Sequence, residues 1–165
     1  MIMGPSNSGK STLAQAIAHK RNGIAIYLDQ LAHKPNTPWV RRPQQEFHAL
    51  HEQAIAQENW IMEGNYSFLV PARLTRATGV ILLDASTPLS LFRYIKRTLG
   101  LTPRIGALSS TRHAIHWWML HHIATTTRQN RRRYAHDFEH YTLPKIALTS
   151  RHAPTQFYQQ EHLTR

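Results

Sequence analysis

Apolar positions along the chain come in two rhythms, short unbroken runs and stripes at helical spacing, and the two alternate. The chain opens on Met1-Ile2-Met3, passes through a stretch of glycine and serine, and enters a helical pattern from Lys10 to Lys20. Leu13 with Ile17, and Ala14 with Ala18, fall on one face of that helix. Ile24 to Leu28 is a short run with a β-branched bias, bounded by Asn22-Gly23 and Asp29, and predicts a strand. Pro35, Asn36, Thr37 and Pro38 predict a loop that carries Trp39. Pro43 suits the first turn of a helix reaching about Glu58, with Glu46 near its positive end. Phe47, Leu50, Ala54 and Ile55 form its buried stripe.

Trp60, Ile61 and Met62 predict the next buried strand, ended by Glu63, and Gly79 to Leu83 another, ended by Asp84. Pro88 opens a helix through about Leu99, and Thr102-Pro103-Arg104 with Gly106 break it. A second long helical stretch follows from about Ser110 to Tyr134, then a short strand at Lys145 to Thr149 and a closing helix at Thr155 to Leu163. Alternation of this kind means an α/β fold, a five-stranded parallel sheet with helices on both faces. The 165 residues suit one domain, without internal repeat or low-complexity linker.

No apolar run approaches the roughly 18 residues of a membrane span, so no membrane partner is expected. The absence of cysteine excludes disulfides and thiolate metal sites, and fits a reducing compartment. The charge is lopsided, with 20 Lys+Arg against 9 Asp+Glu and a net charge of +11. Such a balance favours polyanionic partners. Its distribution says more than its total. Between Ala85 and His136 there is no acidic residue, while Arg93, Lys96, Arg97, Arg104, Arg112, Arg128, Arg131, Arg132 and Arg133 all fall there. A solvated basic face is the plain reading of part of this window; a phosphate-gathering flap is the sharper one.

Gly4-Pro5-Ser6-Asn7-Ser8-Gly9-Lys10-Ser11 satisfies G-x-x-x-x-G-K-[ST] and continues into Thr12. The glycines let the backbone wrap closely enough for successive N–H groups to point at an anion. Lys10 can then reach the outer phosphates of a nucleoside triphosphate, and the Ser11 hydroxyl is placed to ligate Mg²⁺. The helix that follows points its positive end at the same phosphates. A strand of about five residues should feed such a loop, and only Met1, Ile2 and Met3 precede Gly4. The expectation is that the sequence given lacks the residues before them; an unusually short central strand is the alternative. With the loop starting so early no secretory signal is expected, and ATP chemistry makes the cytoplasm the expected compartment.

Three of the acids, Asp29, Glu63 and Asp84, sit at the C-terminal ends of predicted strands, the edge where open parallel sheets bind ligands. Phosphoryl transfer needs a carboxylate to orient Mg²⁺ or its waters, and often another to take the acceptor's hydroxyl proton. Capping of a following turn is the alternative, and for Asp84, followed by Ala-Ser-Thr-Pro, it stands level with a site role.

The glycine-rich loop, Tyr27-Leu28-Asp29, Trp39, then Trp60-Ile61-Met62-Glu63-Gly64-Asn65-Tyr66, Leu82-Leu83-Asp84 and Arg93-x-x-x-Arg97 follow one another in an order that resembles the P-loop kinases of the adenylate and shikimate kinase type. More narrowly, the chain resembles small bacterial proteins described as DNA topology modulation proteins or adenylate-kinase-like ATPases. The Trp-Ile-x-x-Gly-Asn-Tyr block is the most diagnostic piece, and the resemblance extends to about Arg133. That family usually has Asp where this chain has Glu63. The resemblance implies ATP and Mg²⁺, with Gly4, Ser6, Asn7, Ser8, Gly9, Lys10, Ser11 and Thr12 around the phosphates. It puts Glu63 where such kinases place their Mg²⁺-organising acid, with Ser11 as the other metal-binding residue, and Asp29 facing the acceptor as its general base. Trp39, Gly64, Asn65 and Tyr66 would line the acceptor pocket. Arg93 and Arg97, one helical turn apart, would reach the nucleotide from the side of a basic helical lid, the lid itself spanning about residues 100–134. The implied activity is transfer of the γ-phosphoryl group to a nucleotide, nucleoside or other hydroxylated metabolite. The alternative is an ATP-dependent regulator that binds nucleic acid through Arg128, Arg131, Arg132 and Arg133; a binder without turnover is a third.

Weaker signals remain. His48-x-x-His51, His113-x-x-His116 and His136-x-x-x-His140 put ring pairs on one helix face, yet none gathers a third obvious ligand. Trp117-Trp118 offers core packing or base stacking. Arg131-Arg132-Arg133 reads as a solvated helix end or a grip on a nucleic-acid backbone.

Overall fold

Ile2 and Met3, both 1% exposed, form β1 (Ile2–Met3) at the centre of the sheet. The computed structural model describes residues 1–99, 105–106 and 117–164, except the side chains of Arg97, Trp118, His122, Thr126, Thr127 and Arg128. Around β1 run β2 (Ile24–Tyr27), β3 (Trp60–Glu63), β4 (Val80–Leu83) and β5 (Lys145–Leu148). They make a five-stranded sheet in the order β2-β3-β1-β4-β5, and every pairing is parallel.

Register decides which side chain meets which helix. Ile2 stands opposite both Glu63 and Ile81, so these residues share one face of the pleat. Ile2, Leu83 and Leu148 pack there against Leu13 and Ala14 of α1 (Lys10–Lys20) and Phe157 of α8 (Ala153–Gln160). Met1, Met3, Val80 and Leu82 face the other way, onto Val70 of α4 (Val70–Leu74) and Tyr134 and Phe138 of α7 (Thr126–His140). On β2 and β3, Ile26 and Met62 are covered by Phe47, Ala54 and Ile55 of α3 (Gln44–Ile55). The three-layer arrangement expected from the alternation is therefore present.

The differences are local. β2 stops at Tyr27, and Leu28 begins a short helix, α2 (Leu28–Ala32). Leu28 and Ala32, four apart, are both buried, a helical spacing that takes over the end of the apolar run. Asp29 thus lies in the first turn of α2 instead of at a strand end. The long helix expected from Ser110 begins outside the described residues. What is described is α6 (Trp117–Ala124) and α7, broken at Thr125, whose hydroxyl donates to His121 O at 2.7 Å in competition with the helical ladder. α7 runs beyond the expected Tyr134 end because Phe138, four residues on, is also buried. Arg131, Arg132 and Arg133 consequently sit in mid-helix, away from the C-terminal dipole. Among the described residues no helix is long and apolar enough to cross a membrane.

On α3 the buried stripe is Phe47, His51, Ala54 and Ile55, with His51 in the place expected of Leu50. His51 is wholly buried, and among the described residues neither ring nitrogen has a hydrogen-bond partner, the Glu52 carboxylate standing 3.5 Å from Nδ1. Burial first, then the Arg73 and His48 charges, hold its pKa below the usual value, against the pull of Glu52. The folded state therefore refuses a proton that the unfolded chain accepts below about pH 6.5. Stability falls as pH drops through that value, with a slope of up to about 1.4 kcal/mol per pH unit from this residue. His51→Leu is expected to flatten the dependence of Tm on pH below about 6.5; an unchanged slope would assign the acid sensitivity elsewhere.

Candidate functional site

The strand order sets where a ligand belongs. From β1 the chain leaves towards β2 at one edge, and from β4 towards β5 at the other. The C-terminal ends of β1 and β4 thus flank the switch point, the crevice where open parallel sheets take ligands. Gly4 is the residue that makes their close approach possible. Its φ is +141°, and a Cβ there would stand 2.0 Å from Leu83 O.

From Gly4 the backbone turns through left-handed conformations at Asn7 (φ 60°) and Gly9 (φ 102°). Gly9 is the N-cap of α1, and no side chain caps the helix there. The first-turn N–H groups, left without intrahelical acceptors, bring the positive end of the dipole to the loop. Lys10 Nζ donates to Pro5 O at 2.8 Å, across the loop. Arg93, on α5 (Thr87–Thr98), donates to Ser8 O at 2.8 Å. Asn7 Oδ1 and Ser8 Oγ are buried with no partner among the described residues. Ser6 and Thr12 are half-buried on either side of this turn.

Glu63 ends β3 on the face that α1 covers, and its Oε1 accepts the Ser11 hydroxyl at 2.8 Å. Burial pushes the Glu63 pKa up; Lys10, the Ser11 hydrogen bond and Arg73 work against that, while Asp29 adds to it. Gly64 follows with φ +135°. That turn swings Asn65 onto the loop, where its carboxamide makes two bonds to one residue. Asn65 Oδ1 accepts Gly4 N–H at 3.1 Å, and Asn65 Nδ2 donates to Gly4 O at 2.7 Å. Asn65, expected to line an acceptor pocket, clamps the start of the loop through these two bonds.

Tyr66 points the other way, donating its hydroxyl to Asp29 Oδ1 at 2.9 Å. Burial, then the Asp29 charge, raises the Tyr66 pKa well above the ordinary phenol value, so the phenol stays a donor to that carboxylate. His33 Nδ1 holds Asp29 O at 2.8 Å, and the His33 ring meets Trp39 edge-on at 5.1 Å. Trp39 itself is exposed on the loop between α2 and α3, with φ 61°. Gly106 lies against the Tyr27 ring at the end of β2, where a Cβ would come within 2.8 Å of it.

The Asp84 carboxylate, expected as a cap or a site residue, is engaged by a side chain from α7. Arg131 of α7 donates to both of its oxygens, through Nε and Nη2, each at 2.5 Å. The hydrogen bond to Asp84 raises the Arg131 pKa further. Arg132 and Arg133 are exposed, and Arg133 lies over the Tyr134 ring at 5.6 Å. The Arg97 and Arg128 side chains, and the pair His113 and His116, lie outside the described residues. His136 and His140 stack at 4.5 Å between ring centroids, and among the described residues no group of three potential metal ligands of the His, Cys, Asp or Glu type gathers.

The structure therefore brings together Gly4, Lys10, Ser11, Glu63, Asn65 and Arg93 on one side, and Asp29 with Tyr66 on the other. It leaves Trp39 at the surface. Arg73, which no sequence motif announces, is fully buried beneath the Gly64–Tyr66 turn. A signal existed: Leu69, Arg73 and Ala77, four apart, are all buried, so the arginine interrupts an apolar stripe. Compared with models of known protein families and with curated protein sequences, the chain finds no match in either.

Proposed function

We propose that this chain binds Mg·ATP in the Gly4–Thr12 loop and transfers the γ-phosphoryl group to a small hydroxylated acceptor held beside Asp29. The observation that carries the reading is the hydrogen bond between Ser11 Oγ and Glu63 Oε1 at 2.8 Å, at the root of the loop. A hydroxyl and a buried carboxylate in contact are a hard-oxygen donor set, which suits Mg²⁺ as it suits other hard divalent cations, and the triphosphate that the loop would bind favours Mg²⁺ among them. The uncapped start of α1 and the unpartnered Asn7 and Ser8 atoms supply the remaining polar surface that a polyphosphate requires. Mg²⁺, when bound by Ser11 and Glu63, would neutralise charge on the β and γ oxygens.

The protein's own groups do the rest. Lys10 and Arg93 exchange their loop carbonyls for phosphate oxygens, charge-assisted contacts that are the stronger ones. Asp29, with Tyr66 donating to one of its oxygens, keeps the other for an acceptor hydroxyl, whose proton it takes as the phosphoryl group departs. The commitment of Arg131 to Asp84 removes one cation from the nucleic-acid reading. Cytoplasmic residence follows from the use of ATP.

The deciding assay measures ADP formation from Mg·ATP alone, with nucleosides, nucleoside monophosphates and small alcohols, and with DNA. Turnover stimulated by a small acceptor, with label recovered in that acceptor, is the expected result. Stimulation by DNA alone would overturn the phosphotransferase reading in favour of a nucleic-acid regulator.

A further inference from the structure

Arg73 is an expensive residue to bury. It is 0% exposed, and among the described residues no carboxylate lies within ion-pair distance of it. Taking a guanidinium out of water costs several kcal/mol in general, and a fold that needed only to fill this space would use Leu or Met. Burial brings its pKa down to about 10, so it remains a cation at neutral pH. What the fork does there is specific. One arm donates to Gly64 O at 3.0 Å and the other to Tyr66 O at 3.1 Å, while Nε approaches Leu69 O at 3.5 Å. The two principal bonds bracket Asn65, the residue that clamps Gly4. They also fix the backbone of Tyr66, the residue that holds Asp29. Both halves of the site hang from this one turn.

We infer that Arg73 is a positioning residue, whose buried guanidinium locks the Gly64–Tyr66 turn so that Asn65 sets the start of the phosphate loop and Tyr66 sets Asp29. The inference rests on the phosphotransferase reading for its functional meaning, and on hydrogen bonds alone for its mechanics. A planar fork suits the task because it serves two carbonyls at a fixed separation, whereas an ammonium is a point donor.

The test is amide hydrogen exchange at Gly4 and Gly64, together with Mg·ATP affinity, in the full chain and in Arg73→Lys, Asn65→Ala and the double variant. Arg73→Lys is expected to speed exchange at both amides by about tenfold or more and to weaken Mg·ATP binding by about tenfold. On the Asn65→Ala background the same change is expected to alter affinity by less than about twofold, because Arg73 acts on the loop through Asn65. Additive losses in the double variant would overturn the inference. Asn65→Ala alone supplies a measurement that needs no Arg73 variant to fold: exchange at Gly4 rises while exchange at Gly64 stays as in the wild type. A Gly64 amide freed by that substitution would show that Asn65, not Arg73, holds the turn. Should the wild type fail to bind Mg·ATP, the proposed function falls, and the exchange rates still decide the role of Arg73.

Discussion

Lys10→Ala is expected to lower kcat/KM for ATP by about a thousandfold, roughly 4 kcal/mol of lost transition-state stabilisation. The side chain already spans the loop to Pro5 O, so its ammonium needs only a short swing to meet an incoming phosphate. On the proposed phosphotransferase reading, a point charge there contributes most when charge spreads over the transferring group, so kcat is expected to fall along with affinity. The fold is expected to survive, because Lys10 is half-buried at the mouth of the loop and its hydrogen bond is to a local carbonyl. Steady-state kinetics with a parallel thermal melt separates the two effects. A variant that melts as the wild type does and turns over ATP normally would remove Lys10 from the site.

Asp29→Asn is expected to cut acceptor-dependent kcat by about a hundred- to ten-thousandfold, while Mg·ATP affinity changes by less than about twofold. Asparagine keeps an oxygen for the Tyr66 hydroxyl, so the hydrogen bond at 2.9 Å has a replacement acceptor. What disappears is the negative charge and the capacity to take a proton. Asp29 is exposed in the first turn of α2, where an acid also favours the helix dipole. That plainer role predicts a small change in melting temperature and none in kcat. A loss of kcat at unchanged nucleotide affinity therefore separates the base from the cap.

Much of the architecture was legible in the chain. The succession of apolar runs and amphipathic stretches marked each strand, and the glycine-rich loop after the first fixed which edge of the sheet would carry polar side chains. Legibility failed where spacing permits more than one geometry. The run Ile24 to Leu28 fits a strand as well as the entry to a helix, and the burial of Leu28 with Ala32 decided for the helix. Asn65 and Tyr66 are adjacent in sequence and were read as lining one pocket. Gly64 at φ +135° sends them to opposite halves of the site, a choice that the identity of the residues does not reveal. Pairings across long stretches were equally hidden. Asp84 and Arg131 are 47 residues apart, and nothing local to either announces the other. Buried polar groups were the hardest to see, since Arg73 and His51 are of types found mostly at surfaces.

The loop-centred account implies that nucleotide contact is concentrated in one short segment. The measurement that tests it most directly is titration of the full chain with Mg·ATP, followed by the backbone amide signals of residues 4–12 and repeated with Lys10→Ala. The account predicts saturable shifts that include Gly9, Lys10 and Ser11, a dissociation constant below about 1 mM, and at least about tenfold weaker binding in the variant. Shifts confined to the exposed arginines of α7, with the loop silent at saturating Mg·ATP, would contradict it.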